Sequence, residues 1–442
     1  MRPHTSGSPR RRTSRGLLAV AAVVAATMTL PMGALAQDEL EGSISFLHKY
    51  GDPRYTPYFE SVVAAYEEAN PGVSIDMTAE TDQGVKDKLR VLAASNTLPD
   101  VYFSWAGDFT KKFVRGDLAM DLSDDVTGDW EASFTPAALD AYTYDGSLYG
   151  VPITLDAKYL IYNTQMFEDN GLAIPTNLEE LLATCDAFKE AGVENPITFG
   201  NQFGWPAIHF MTQLNAYFVP PDTLATDYDP ATGEFTDPGY LAALQAFSDI
   251  NEHCLTPGSN GIAHSSAQAM FLTGQSPMHY LEAVEFEVLQ EENGAPAEIA
   301  ANWDFTKLPP PADAAGDIGA LEGAPDGFLV NPSSEHPEIA VDFLRFLTSL
   351  DNAQKLTEEL GWLSPIIGSA TAENTFPANV QVVDDITSAS SMSIWLDTVT
   401  HIDVANAYLD GVQAILDGSK TPEDVVADVQ AAAVSAKADT AG

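Results

Sequence analysis

Tyr144-Asp-Gly-Ser-Leu-Tyr-Gly-Val-Pro-Ile-Thr-Leu-Asp-Ala-Lys-Tyr-Leu-Ile-Tyr-Asn-Thr-Gln-Met-Phe-Glu-Asp-Asn-Gly171 decides how the rest of the chain is read. Asp145-Gly146 is a tight-turn dipeptide, and the β-rich Leu148 to Thr154 after it reads as a strand whose Pro152 marks an edge or a crossing. Tyr159 to Tyr162 is a second apolar run. Asn163 can then cap a short helix that Gly171 ends, because Asn accepts from early helical N–H groups and Gly tolerates a left-handed residue after a helix. The polar Asp156-Ala-Lys158 sits between two strands that look buried. Polar residues at such a junction line a solvent cleft or connect two lobes.

Tyr149-Gly-Val-Pro152, Tyr162-Asn163 and the Phe167 to Gly171 helix end together resemble the crossover segment of family 1 extracellular solute-binding proteins, the sugar-binding receptors of ABC importers. The resemblance continues over nearly the whole chain that follows the leader described below. It implies a two-lobed α/β fold, each lobe a central mixed β-sheet flanked by helices, with the ligand cleft between them. The expected division is 37–151 plus 308–347 for one lobe and 152–307 plus 348–442 for the other.

Residues 1–36 read as a targeting segment. Arg10, Arg11, Arg12 and Arg15 form a basic start, Leu17 to Leu30 an apolar run, and Ala34-Leu35-Ala36 a small-residue cleavage pattern. The mature chain is expected to begin at Gln37, exported to the periplasm or the cell-envelope space. Arg11-Arg12 suggests twin-arginine export, but the apolar pair that should follow is displaced to Leu17-Leu18, which favours the Sec route. Relatives with a lipid anchor carry Cys at the cleavage site, so Gln37 implies none.

Acidic residues number 64 against 20 basic ones. Five of the basic residues lie in the leader, leaving a mature net charge of −49. Such a field argues against nucleic acid or anionic lipid as a partner. Its simplest meaning is a solvated surface adapted to saline surroundings. Cys185 and Cys254 are the only cysteines, and in an exported chain an even pair suggests one disulfide, two buried free thiols being the alternative.

Strands and helices alternate from Ile44 onward, as in βαβ units with a largely parallel sheet. Phe59, Val62, Val63 and Tyr66 fall at helical spacing; Val73 to Met77 and the run after Pro99 read as strands. Thr176-Asn-Leu-Glu179 matches a capping box before the helix carrying Cys185. Asn302 to Leu308 looks like a second crossing between lobes, and the chain after Ala436 like a frayed tail.

No catalytic signature is present: G-x-S-x-G, H-E-x-x-H and a complete P-loop are missing, and Gly418-Ser-Lys-Thr421 is a helix-ending turn. The eight His lack ligand spacing, so no metal or other cofactor is expected. What stands out is aromatic residues beside polar ones at strand ends. A sugar presents hydroxyls at its rim and an apolar C–H face, so its pocket needs an aromatic plane together with carboxylate, amide or indole groups.

Trp105 with Asp108, Asp156, Trp205, Glu282, Trp362 and Trp395 are such groups, and His48 and Lys49 lie in the loop after the first strand. By the resemblance, Trp105 and Asp108 match a sugar-contacting loop, Asp156 an acidic sugar-binding position, and Trp205 and Trp395 aromatic positions of the second lobe. Leu281-Glu-Ala-Val284 departs from it: Glu282 stands where a Gly-x-Trp platform is common. The expected protein is a monomeric sugar receptor, not an enzyme, handing its ligand to ABC permease subunits. An exported carbohydrate-active enzyme and a metal or polyamine receptor are the alternatives.

Overall fold

The computed structural model describes residues 40–440. The expected targeting segment and its cleavage site lie outside them. Two sheets organise the chain. The first has the order Val73–Ala79, Gly42–His48, Val101–Trp105, Pro325–Val330, Gly150–Leu155. Its first three strands are parallel, and Pro325–Val330 runs antiparallel to both of its neighbours. The second sheet has the order Trp303–Thr306, Lys158–Asn163, Met278–Glu282, Ile197–Thr198, with a single parallel pairing, between the last two. A largely parallel arrangement therefore holds for only part of the first sheet. Trp303 begins an edge strand and packs on Phe286 and Phe305.

The local signals of the opening stretch act as written. Asp145 and Gly146 both take positive φ, 52° and 86°, in the turn of a short hairpin. The Asn163 side chain accepts from the Met166 N–H at 3.0 Å, and Gly171 ends that helix at φ 64°. The next cap lies one residue later than expected. Asn177 accepts from the Glu180 N–H at 2.8 Å, while the Glu180 carboxylate accepts from the Thr176 N–H at 2.9 Å. Asn caps at least as well as Thr, so Asn177 takes the position. The last helix runs from Pro422 through Thr440, with Ala436 buried, where a frayed tail was expected.

Each sheet has its own core. Phe46, Tyr102, Phe328 and Phe343 centre the first; Phe188, Phe210, Phe247 and Tyr408 centre the second, with a smaller cluster around Tyr159, Phe286 and Phe305 on the second sheet's other side. Cys185 and Cys254, both fully buried in the second core, are joined in a disulfide with Cα atoms 5.2 Å apart.

The sequence reading brought the chain back to the first lobe at residue 308 and to the second at 348. Leu308 and Leu321 instead pack with the second sheet, and Ala353, Leu356, Leu360 and Trp362 with the first. The chain passes between sheets at Asp156-Ala157, around Gly323, and within 363–370, after which Val382 and Met392 pack with the second sheet. These passages touch: the Leu155 N–H donates to the Leu363 carbonyl at 2.7 Å. Gly323 N–H donates to the Ser393 carbonyl at 3.0 Å, and a Cβ on Gly323 would lie 2.1 Å from the Asp156 carbonyl oxygen, which excludes any side chain there.

Candidate functional site

Strand ends of both sheets converge on one seam, where α/β folds place ligands. Trp105 ends its strand and pairs in register with Asp326, which also faces Thr154. Across the seam, Lys158 opens its strand opposite Glu282, the last residue of its own. The two halves of the site are thus fixed by backbone register before any side chain is considered.

On the first-sheet side, Lys49 Nζ lies 2.7 Å from Asp326 and 3.7 Å from Asp82. Burial opposes the Lys49 charge, but Asp326 and Asp82 outweigh it and its pKa is raised. Lys86 links Asp82 at 3.6 Å to Asp397 at 3.3 Å, the latter beside Trp395. Trp105 lies between the two ammonium groups, its ring centroid 5.2 Å from Lys49 Nζ and 4.7 Å from Lys86 Nζ, a cation–π arrangement.

On the second-sheet side, the Trp205–Phe218 helix presents Trp205 and, one turn on, His209. The His209 ring stacks on Trp395 with centroids 4.2 Å apart and planes 14° from parallel. Burial, then the nearby Lys158 ammonium, lowers the His209 pKa to about 4, so the imidazole is neutral. Lys158, 1% exposed, donates to His209 Nδ1 at 2.8 Å, sits 3.4 Å from Glu282 Oε1, and lies 4.8 Å over the Trp205 ring. Trp205 in turn packs on His264, whose Nε2 is 2.9 Å from Glu285.

Between the halves stands Asp156. It accepts from the N–H groups of Ala157 at 2.8 Å and Val284 at 3.2 Å. Burial, then the charge of Glu282, raises its pKa well above the usual carboxylate range, whereas Lys158 and His209 overcome burial to hold Glu282 well below it. That shift favours the protonated form of Asp156, in which the carboxyl can donate as well as accept. The seam offers aromatic planes, ammonium donors and buried carboxyls within a few ångströms of one another, the groups needed to face a polyhydroxylated molecule.

The structure brings Lys49, Trp105, Asp156, Trp205, Glu282 and Trp395 to this seam. His48, Asp108 and Trp362 lie outside this group of contacts. His48 is fully buried, its ring stacked 4.6 Å from Phe59, with Nδ1 accepting from the Tyr50 N–H. The Asp108 carboxylate is taken up by Arg115 through contacts of 2.6 and 3.0 Å. Trp362 is 2% exposed and packs on Tyr50 and Tyr55 in the first core. Glu282, read as the loss of an aromatic platform, forms an ion pair with Lys158.

Sequence reasoning missed Asp326, Lys86, His209, His264 and Asp397, and placed Lys158 at the junction without naming it among the ligand-binding residues. Two signals were available: His209 follows Trp205 at the i, i+4 spacing of one helix face, and Asp326 is a charge opening the apolar run Gly327 to Val330. Among the described residues no group of three or more His, Cys, Asp or Glu side chains is arranged to hold a metal ion.

Two sheet-based lobes meeting at a cleft of charged and aromatic side chains define a two-lobed binding protein. Residues 52–354 match the family of bacterial extracellular solute-binding proteins, and the chain belongs to that family, whose members bind solutes and are not enzymes. A binding protein of Brucella abortus (strain 2308) is 27% identical over 361 residues, 80% of this chain and 81% of the relative. The arabinooligosaccharide-binding protein of Halalkalibacterium halodurans is 23% identical over 421 residues, 89% of each chain. A solved chitin oligosaccharide binding protein shares the fold with a TM-score of 0.82 at 21% identity, over 90% of this chain and 99% of that one.

Proposed function

We propose that this protein captures a sugar in the seam between its lobes and delivers it to the membrane subunits of an ABC importer. The observation that carries this reading is the aromatic group of Trp205, His209 and Trp395, set beside Lys158, Glu282 and Asp156. An aromatic face accommodates the C–H side of a pyranose, and the surrounding polar groups bond its hydroxyls. Relatives named for arabinooligosaccharide and maltotriose binding support the same ligand class. The lobes in this reading are 40–155 with 324–366, and 157–322 with 367–440, joined by the three adjacent passages. The mature chain acts as an exported monomer without lipid, and nucleic acid is not a partner.

Ligand binding stabilises the closed arrangement to the extent that it contacts both lobes. Contacts across both rims support a closed state here: Lys86 with Asp397, and Arg54 and Tyr55 with Glu287 at 3.4 and 3.0 Å. Calorimetric titration with a sugar panel tests the reading. One sugar series should bind, and Trp205→Ala should weaken it about tenfold or more, a loss of about 1.4 kcal/mol. A panel without heat, or wild-type affinity in both Trp205→Ala and Asp156→Ala, would overturn the assignment.

A further inference from the structure

Three carboxyls of the seam each face an ammonium: Asp326 with Lys49 at 2.7 Å, Asp397 with Lys86 at 3.3 Å, and Glu282 with Lys158 at 3.4 Å. Asp156, 7% exposed, makes no ion pair among the described residues. Its neighbour is another acid. The Asp156 and Glu282 carboxyls lie in hydrogen-bond contact, and two carboxyls that close cannot both stay ionised. Lys158 favours the charge on Glu282, while Asp156 Oδ1 already accepts from the Ala157 and Val284 N–H groups. The hydrogen of the pair therefore falls to Asp156 Oδ2.

Position makes this hydrogen sensitive to closure. Asp156 stands where the chain leaves the first sheet, its carbonyl oxygen against Gly323 of the second passage. The charged groups that face its carboxyl come from both lobes, and both are acidic: Glu282 ends the Met278–Glu282 strand, and Asp326 lies in the Pro325–Val330 strand. Tyr159, on the strand that follows Asp156, is a further titratable neighbour. Burial, then the Glu282 charge, raises the Asp156 pKa. Parting the lobes admits water to the carboxyl and carries Asp326 away, and each change eases ionisation. The closed form thus holds the hydrogen more tightly than an open one.

We propose that the protein binds its sugar together with one proton, taken from solvent onto Asp156 as the lobes close and returned as they part. The proposal rests on the sugar reading above and adds a proton to what the same cleft binds. Because the closed form binds more protons, affinity for a neutral sugar falls as pH rises between the open and closed titrations of Asp156, by at most about tenfold per pH unit for a single proton. Below the open titration Asp156 is protonated in both forms, and the dependence vanishes.

Calorimetric titration of the mature protein with arabinotriose, maltotriose and chitotriose, each in phosphate and in Tris at one pH, tests it. The two buffers differ in heat of ionisation, so a difference in binding heat counts protons. Whichever sugar binds should bring up to one proton with it, and its affinity should fall severalfold or more from pH 6 to pH 9. Asp156→Asn, whose amide stays neutral at every pH, should take up no proton and give a flat pH profile, whatever its absolute affinity. Glu287→Gln should keep the uptake, which separates Asp156 from the raised carboxyl at the rim. Equal heats in the two buffers for wild type, a comparison that needs no variant, overturn the proposal and leave the sugar reading standing. Uptake that survives in Asp156→Asn does the same, and its loss in Glu287→Gln alone would move the proton to the rim and overturn the assignment. Failure of every sugar to bind defeats both readings.

Discussion

Lys158 has the most to lose from substitution. Its ammonium is nearly inaccessible and is the charge that keeps Glu282 ionised beneath Trp205. Removing one partner of a buried pair leaves the other uncompensated, which costs about 3–5 kcal/mol, whereas replacing both by apolar groups is often neutral. Urea unfolding should show Lys158→Met destabilised by that amount and Lys158→Met/Glu282→Leu recovering most of it; a double variant as weak as the single would show that the pair is not the unit of stability. Glu287 makes a pH-dependent contribution. Burial, then the charge of Glu285, raises its pKa to about 8 in the folded chain. A raised acid binds more protons folded than unfolded, so its contribution to stability is complete below its unfolded pKa of about 4.3 and is lost as pH rises toward 8. Melting curves between pH 5 and pH 9 should fall less steeply in Glu287→Gln than in wild type, and parallel curves would show that the group does not titrate there.

At the level of elements, the disulfide ties the Leu178–Glu190 helix to the end of the Pro238–His253 helix across 69 residues. A loop of that length is worth about 4 kcal/mol on the chain-entropy account. Cys185→Ser/Cys254→Ser should lose a comparable amount in denaturant while keeping its ligand affinity, because neither cysteine approaches the seam; undiminished stability would show that the unfolded chain gains nothing from the link. The elements legible in the sequence were those specified within a few residues: the Asp145-Gly146 turn, the Asn163 cap and the Gly171 stop. Where the chain changes lobes was less legible, because Leu308 and Leu360 are apolar residues that either core could have taken. Lys158 and Asp326 became site residues only through strand pairings between distant segments, Lys158 opposite Glu282 and Asp326 opposite Trp105. No local pattern encodes such partners. His48 and Asp108 misled for the converse reason: each was adjacent in sequence to the right loop, yet the His48 ring stacks on Phe59 in the first core and Arg115 takes up the Asp108 carboxylate.

Over the whole molecule, charge is the dominant long-range term. With a net of −44 for the full chain, self-repulsion weakens the compact state, and the screening length shortens from about 10 Å at 0.1 M to about 3 Å at 1 M salt. The melting temperature of the mature protein should therefore rise with NaCl over that range; a flat or falling curve would show that the acidic surface is not the limiting strain. The touching passages at Asp156, Gly323 and Leu363 have a different consequence. Links placed far apart along an interface would clamp two bodies rigidly, whereas links gathered side by side leave a single easy rotation, like a book turning on its spine. Every point on the outside of one lobe then moves on a fixed arc relative to the other. A membrane protein resting on both outer surfaces at once could measure whether the seam is filled without touching the sugar inside it.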